Sequence, residues 1–186
     1  MTSLLEQLQK IDGILHDQIQ YLNEQINHLE EKHQSEIFES METFNSSPDT
    51  SANGRKIWGK KGVYIFLITE DLSLTSKEIF DFNEKSLSGA KLKDIKCCSY
   101  LKGMCLYLGS SVSESLYSRL NQHFSSDYGG SSLHLGHKNR RFLLGKVEAY
   151  AFPIKKEYEP YLKIIIPGLE TLMHDKFSPI AGSPRT

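Results

Sequence analysis

A small α/β layer preceded by a helical arm is the fold that this 186-residue sequence predicts, and three observations predict it. Three apolar runs of strand length, at 63–68, 104–110 and 146–154, alternate with segments of helical spacing. Leucine and isoleucine recur in steps of three and four from Leu5 to Leu29. A polar stretch from Asn45 to Asn53 separates the two patterns. The length admits one core and an appendage.

The arm, residues 1–44, carries Leu5, Leu8, Leu15, Ile19, Leu22, Ile26 and Leu29 on one seam. Such a seam either dimerises as a coiled coil or lies on its own domain as an amphipathic helix, and isoleucine at one seam position favours two strands. Residues 45–56, rich in Asn, Ser, Pro and Asp, read as a linker. The domain proper then spans 57–186. Its first strand, Val63 to Ile68, is followed by a polar insertion, Thr69 to Gly103, with one short helix, and by a second strand, Met104 to Ser110. A helix from Ser113 to Phe124, a Gly/Ser-rich turn at 125–132 and a strand from Lys146 to Ile154 come next. A last helix starts near Glu159 or Pro167 and ends at Phe177.

Net charge is only −1, yet it is unevenly spread. Residues 1–56 hold 4 Lys/Arg against 10 Asp/Glu, a balance of −6, and residues 57–186 hold 18 against 13, a balance of +5. A polyanion is therefore drawn to the second part and repelled by the first. Three cysteines, Cys97, Cys98 and Cys105, provide neither a disulfide framework nor a zinc-ligand pair, and are expected as buried thiols. No apolar run approaches the roughly 18 residues of a membrane span, and the N-terminus lacks the basic and apolar regions of a signal peptide. A cytoplasmic protein without membrane contact is expected.

Five side chains suit phosphodiester chemistry. Tyr64 and Tyr107 lie in the first two strands, each beside a glycine, Gly62 and Gly109, and in a suitable register their phenols meet on one face. On the following helix Leu116, Leu120 and Phe124 form the apolar edge, and Arg119 and His123, four residues apart, project together from another face. A guanidinium can hold a phosphate oxygen with two parallel bonds, and an imidazole can move a proton near neutral pH. Glu170, among Leu169, Leu172 and Met173, is a carboxylate that could offer oxygen to a hard divalent ion. The basic run His137 to Arg141 with Lys146 suggests that Lys138, Arg140, Arg141 and Lys146 touch a nucleic-acid backbone, or else form a solvated loop.

Gly62-Val63-Tyr64, Tyr107-Leu108-Gly109-Ser110-Ser111, Arg119-Leu120-x-x-His123 and Glu170 followed by Pro179 resemble, in order, the motifs of the GIY-YIG nuclease superfamily. The resemblance covers about residues 57–186. It implies a three-stranded antiparallel sheet flanked by helices, with one Mg2+ or Mn2+ ion held by Glu170. It also implies a tyrosine acting as general base, a transition state stabilised by Arg119, and DNA as substrate, cut by a dimer as in the restriction-endonuclease branch. Where the pattern has asparagine three residues after the final proline, this chain has Gly182. The reading is a metal-dependent DNA endonuclease of restriction or defence type. Its alternative is a non-catalytic nucleic-acid-binding or helical interaction protein on a degenerate nuclease fold.

Overall fold

The computed structural model describes residues 37–50, 53–84, 89–93, 99–126 and 132–182. The heptad seam and the dimer expected from it, and likewise Cys97 and Cys98, lie outside the described residues. The chain divides after Ile37, and the second unit holds every element described below.

Four strands, β1 (Glu42–Phe44), β2 (Gly62–Ile68), β5 (Cys105–Ser111) and β6 (Val147–Pro153), form one antiparallel sheet in the order β1-β6-β2-β5. Between β2 and β5 the insertion contributes a two-stranded ribbon of β3 (Leu72–Ser73) and β4 (Ser99–Tyr100), with helix α1 (Ser76–Phe82) between them. Thr75 and Glu78 close a reciprocal capping box at the start of α1. Helices α2 (Leu116–Phe124) and α3 (Leu162–Phe177) follow β5 and β6.

The expected three-stranded sheet is thus the β6-β2-β5 part of a four-stranded one. The fourth strand, β1, lies within residues assigned to the arm. Three residues carry too little alternation to stand out at the end of a helical pattern, but pairing with Tyr150 and its neighbours on β6 fixes them. Glu42 is buried there, and Lys56 approaches its carboxylate to 3.1 Å. The described part of 45–56 is no free spacer either. It folds into 3-10 turns at Pro48–Thr50 and Gly54–Ile57, and the Ser47 hydroxyl donates to Asn121 Oδ1 on α2.

Both faces of the sheet are covered. Tyr64, Phe66 and Tyr107, with Ala149 and Ala151 of β6, face Leu116, Leu120 and Phe124 of α2. Ile65, Cys105 and Leu108 face Met173 of α3. Burial raises the Cys105 thiol to about 12, so it stays protonated and inert. Strand β5 is an outer strand, and its Cys105 and Leu106 carbonyls accept the amides of Ile180 and Ala181. That C-terminal segment is bonded in turn to Lys91 and Lys93.

Candidate active site

Two glycines set the geometry. A Cβ on Gly62 would stand 2.2 Å from the Phe152 carbonyl oxygen of the neighbouring strand, so only glycine fits that pairing. A Cβ on Gly109 would stand 2.5 Å from the Tyr64 hydroxyl, because Tyr64 lies directly across from Gly109 and lays its phenol over it. Tyr107 pairs with Phe66, two residues away on the same face, and the two tyrosine rings stack at 6.3 Å between centroids. The two tyrosines thus stand on one face of the sheet.

Helix α2 starts at Leu116 rather than at Ser113, because Ser115, not Ser113, accepts the Ser118 amide at 3.1 Å. From this start Arg119 is half-buried and donates through Nε to the Tyr64 hydroxyl at 3.2 Å and through Nη1 to Gln122 Oε1 at 2.6 Å. Burial works against its charge. The phenols of Tyr64 and Tyr107 and the Glu114 carboxylate more than offset that, and its pKa is raised.

His123 corrects the sequence reading. Seven residues after Leu116 it falls on the apolar stripe of α2, and it is 0% exposed instead of projecting from another face with Arg119. Its Nδ1 accepts the Leu133 amide at 2.9 Å, which leaves the ring hydrogen on Nε2, 2.9 Å from the Tyr64 oxygen. Burial, then the Arg119 charge and His134, hold its pKa well below the usual histidine value. A neutral imidazole donating to Tyr64 is the result; it does not exchange protons near neutrality.

Glu170 stands apart from this cluster. It is buried on α3 and accepts the Ser110 hydroxyl at 2.7 Å. Ser110 follows Gly109 and points to the opposite face of β5 from Tyr107. The two groups therefore flank consecutive residues of one outer strand. One turn beyond Glu170 is His174, also buried, whose Nε2 has no hydrogen-bond partner. Burial, then Lys93, lower the His174 pKa against the opposing pull of Glu170 and Asp175. No group of three or more His, Cys, Asp or Glu suited to a metal ion occurs among the described residues. Sequence reasoning missed His174 and Ser110, although the four-residue spacing from Glu170 and the position after Gly109 were both readable.

The basic run separates into two kinds of residue. Lys138 and Arg141 are exposed, and Lys146 is partly exposed and 3.6 Å from Glu70. Arg140, expected to touch a nucleic-acid backbone, is 0% exposed. It donates to the Phe82 carbonyl from Nε at 3.2 Å and Nη2 at 3.0 Å, and to the Leu133 carbonyl from Nη1 at 2.8 Å. Its guanidinium lies 4.4 Å over the Phe82 ring, and burial lowers its pKa to about 10. Arg140 ties the end of α1 to the Leu133 segment, which in turn holds His123.

Comparison with known proteins finds no matching family model, no matching curated protein and no matching solved structure. What the chain itself defines is a mixed α/β unit carrying a tyrosine–arginine–histidine cluster on one sheet face and a buried glutamate bonded to Ser110 on the other. No helix among the described residues is long and apolar enough to cross a membrane.

Proposed function

We propose that this chain is a metal-dependent nuclease that hydrolyses phosphodiester bonds in DNA, in keeping with its resemblance to GIY-YIG enzymes. The observation that carries the reading is the convergence on the Tyr64 oxygen. Gly109 makes room for it, and Arg119 and His123 meet it, so three sequence-distant motifs share one atom. Coincidental surface residues have no reason to do so.

Each residue then has a task. Arg119, its plane fixed by Tyr64 and Gln122, opposes the charge that develops on the phosphate. Tyr64, fully enclosed, orients Arg119, and neutral His123 orients Tyr64. Tyr107, the other tyrosine of the face, takes the proton of the attacking water. Water adds to phosphorus as the bond to the 3′-oxygen breaks, which leaves a 3′-hydroxyl and a 5′-phosphate. Glu170 would hold Mg2+ or Mn2+, since a buried carboxylate completed by water and substrate phosphate suits a hard divalent ion. Bound there, the ion would supply charge neutralisation for the phosphate. Cytoplasmic location, assembly through the arm and backbone contacts by Lys138, Arg141 and Lys146 belong to the same proposal.

The position of Glu170 on the far face of β5 favours a second reading, a nucleic-acid-binding module that does not cut. Incubation of the purified chain with plasmid and Mg2+, against Glu170→Ala, separates the two. The nuclease reading expects metal-dependent cleavage that the variant loses with its fold intact. Cleavage at an unchanged rate removes Glu170 from the site, and binding without cleavage leaves the second reading.

A further inference from the structure

Trp58 is the one tryptophan of the chain, and it is 66% exposed. Its ring packs at 4.7 Å, tilted by 41°, against Tyr117 of α2, the helix that carries Arg119. The pair lines a cavity of about 550 Å³, whose other walls include Ser47, Asp49, Asn121 and Gln122. Of the walls just named, only Gln122 has a part in the chemistry assigned to Tyr64, Arg119 and Glu170. An exposed aromatic pair lining a cavity that also has polar walls is the kind of surface on which a planar ligand binds.

From these walls we infer that the pocket receives an unpaired nucleobase of the nucleic-acid substrate, stacked on Trp58, an inference that rests on the proposed nuclease reading. The lining residues include no Lys or Arg and do include the carboxylate of Asp49, which holds the Tyr117 hydroxyl. A phosphate is repelled there. A neutral, planar ring is not, and the side-chain amides of Asn121 and Gln122, whose oxygens already accept from Ser47 and Arg119, still carry N–H groups for the acceptors of a base edge. The cations stand outside the pocket in the same short segment, with Arg55 exposed and Lys56 and Lys60 ion-paired to Glu42 and Glu39. A strand could thus lay its backbone along them with one base turned inward.

Gln122 links the pocket to the candidate active site. Its Oε1 accepts from Arg119 and its Nε2 donates to Glu114, so a base seated against Gln122 lies one residue from the guanidinium assigned to the scissile phosphate. Bases stacked within a duplex cannot reach an indole face; an unpaired or extruded base can.

A single tryptophan lets the pocket report on itself. The full chain is titrated with a phosphorothioate-linked single-stranded oligothymidylate, which resists cutting, while Trp58 emission is followed. Saturable quenching is expected, with affinity reduced by about 10-fold in Tyr117→Ala and, by a second readout such as anisotropy of a labelled oligonucleotide, in Trp58→Ala. Equal quenching by heparin or by blunt duplex would overturn the inference in favour of a backbone contact. Quenching by neutral oligosaccharides alone, or none at all, would overturn it too. Plasmid cleavage without a Trp58 response removes the pocket and leaves the nuclease reading; a Trp58 response without cleavage does the reverse.

Discussion

Replacing Arg140 by alanine distinguishes a buried brace from a DNA contact more sharply than any other change in this protein. The guanidinium makes three hydrogen bonds of 3.2 Å or less to two backbone carbonyls and stacks on Phe82. Hydrogen bonds from a charged donor contribute about 1.5–3 kcal/mol each, not additively. Truncation also leaves the Phe82 and Leu133 carbonyls and a cavity the size of the side chain. Loss of about 3–5 kcal/mol follows from two unsatisfied buried carbonyls at about 1–3 kcal/mol each together with the cavity, against a total stability of about 5–15 kcal/mol. With a urea slope of about 2 kcal/mol/M the midpoint should fall by about 1.5–2.5 M at unchanged slope. Arg140→Lys, which keeps one donor group, should fall between. Urea unfolding followed by circular dichroism measures this directly. An unchanged midpoint, together with a salt dependence of DNA binding that loses about one unit of slope, would refute the brace and restore the phosphate contact.

Three further outcomes are expected. Gly182→Asn, which supplies the residue of the GIY-YIG pattern, should destabilise by about 2 kcal/mol without raising activity. Its Cβ would stand 2.8 Å from the Tyr107 ring at a φ of +77°, and a gain of activity in a cleavage assay would show that the ring yields. His123 stays neutral in the folded chain, so below about pH 6.5 only the unfolded chain takes up its proton, and stability declines with falling pH by up to about 1.4 kcal/mol per unit. His123→Gln should flatten that decline in urea unfolding between pH 7.5 and 5.5, and an equal decline would assign it to other groups. Arg119→Lys keeps the charge but loses the fork that spans Tyr64 and Gln122, so kcat should drop about 100-fold while substrate affinity changes little; equal losses in both would make Arg119 a backbone anchor.

The long strands were legible because seven consecutive residues each of β2, β5 and β6 carry enough apolar side chains to declare themselves, and their ends fall within a residue or so of the sequence reading. Strand β1 was not, since its stability comes from β6 rather than from Glu42-Thr43-Phe44 itself. The tyrosine and arginine positions were readable from motif order. The burial of His123 was readable in principle from its spacing to Leu116, whereas that of Arg140 was not. Two adjacent arginines, Arg140 and Arg141, look alike in sequence, and only the distant Phe82 and Leu133 carbonyls separate their fates. Glu170 shows a third case, a carboxylate whose face on the sheet depends on the parity of a strand it does not belong to.

The segment at Ile180 and Ala181 that covers the start of β5 also has a meaning for solubility. An outer strand with open amides and carbonyls is a template on which another chain can grow. Here β1, at the other margin, is only three residues long, and β5 has its Cys105 and Leu106 carbonyls taken by the protein's own C-terminal residues. That segment works as a built-in plug against self-recruitment. Loosening it uncovers an apolar strand to every neighbouring copy, so damage near residue 180 threatens the molecule first through aggregation rather than through unfolding.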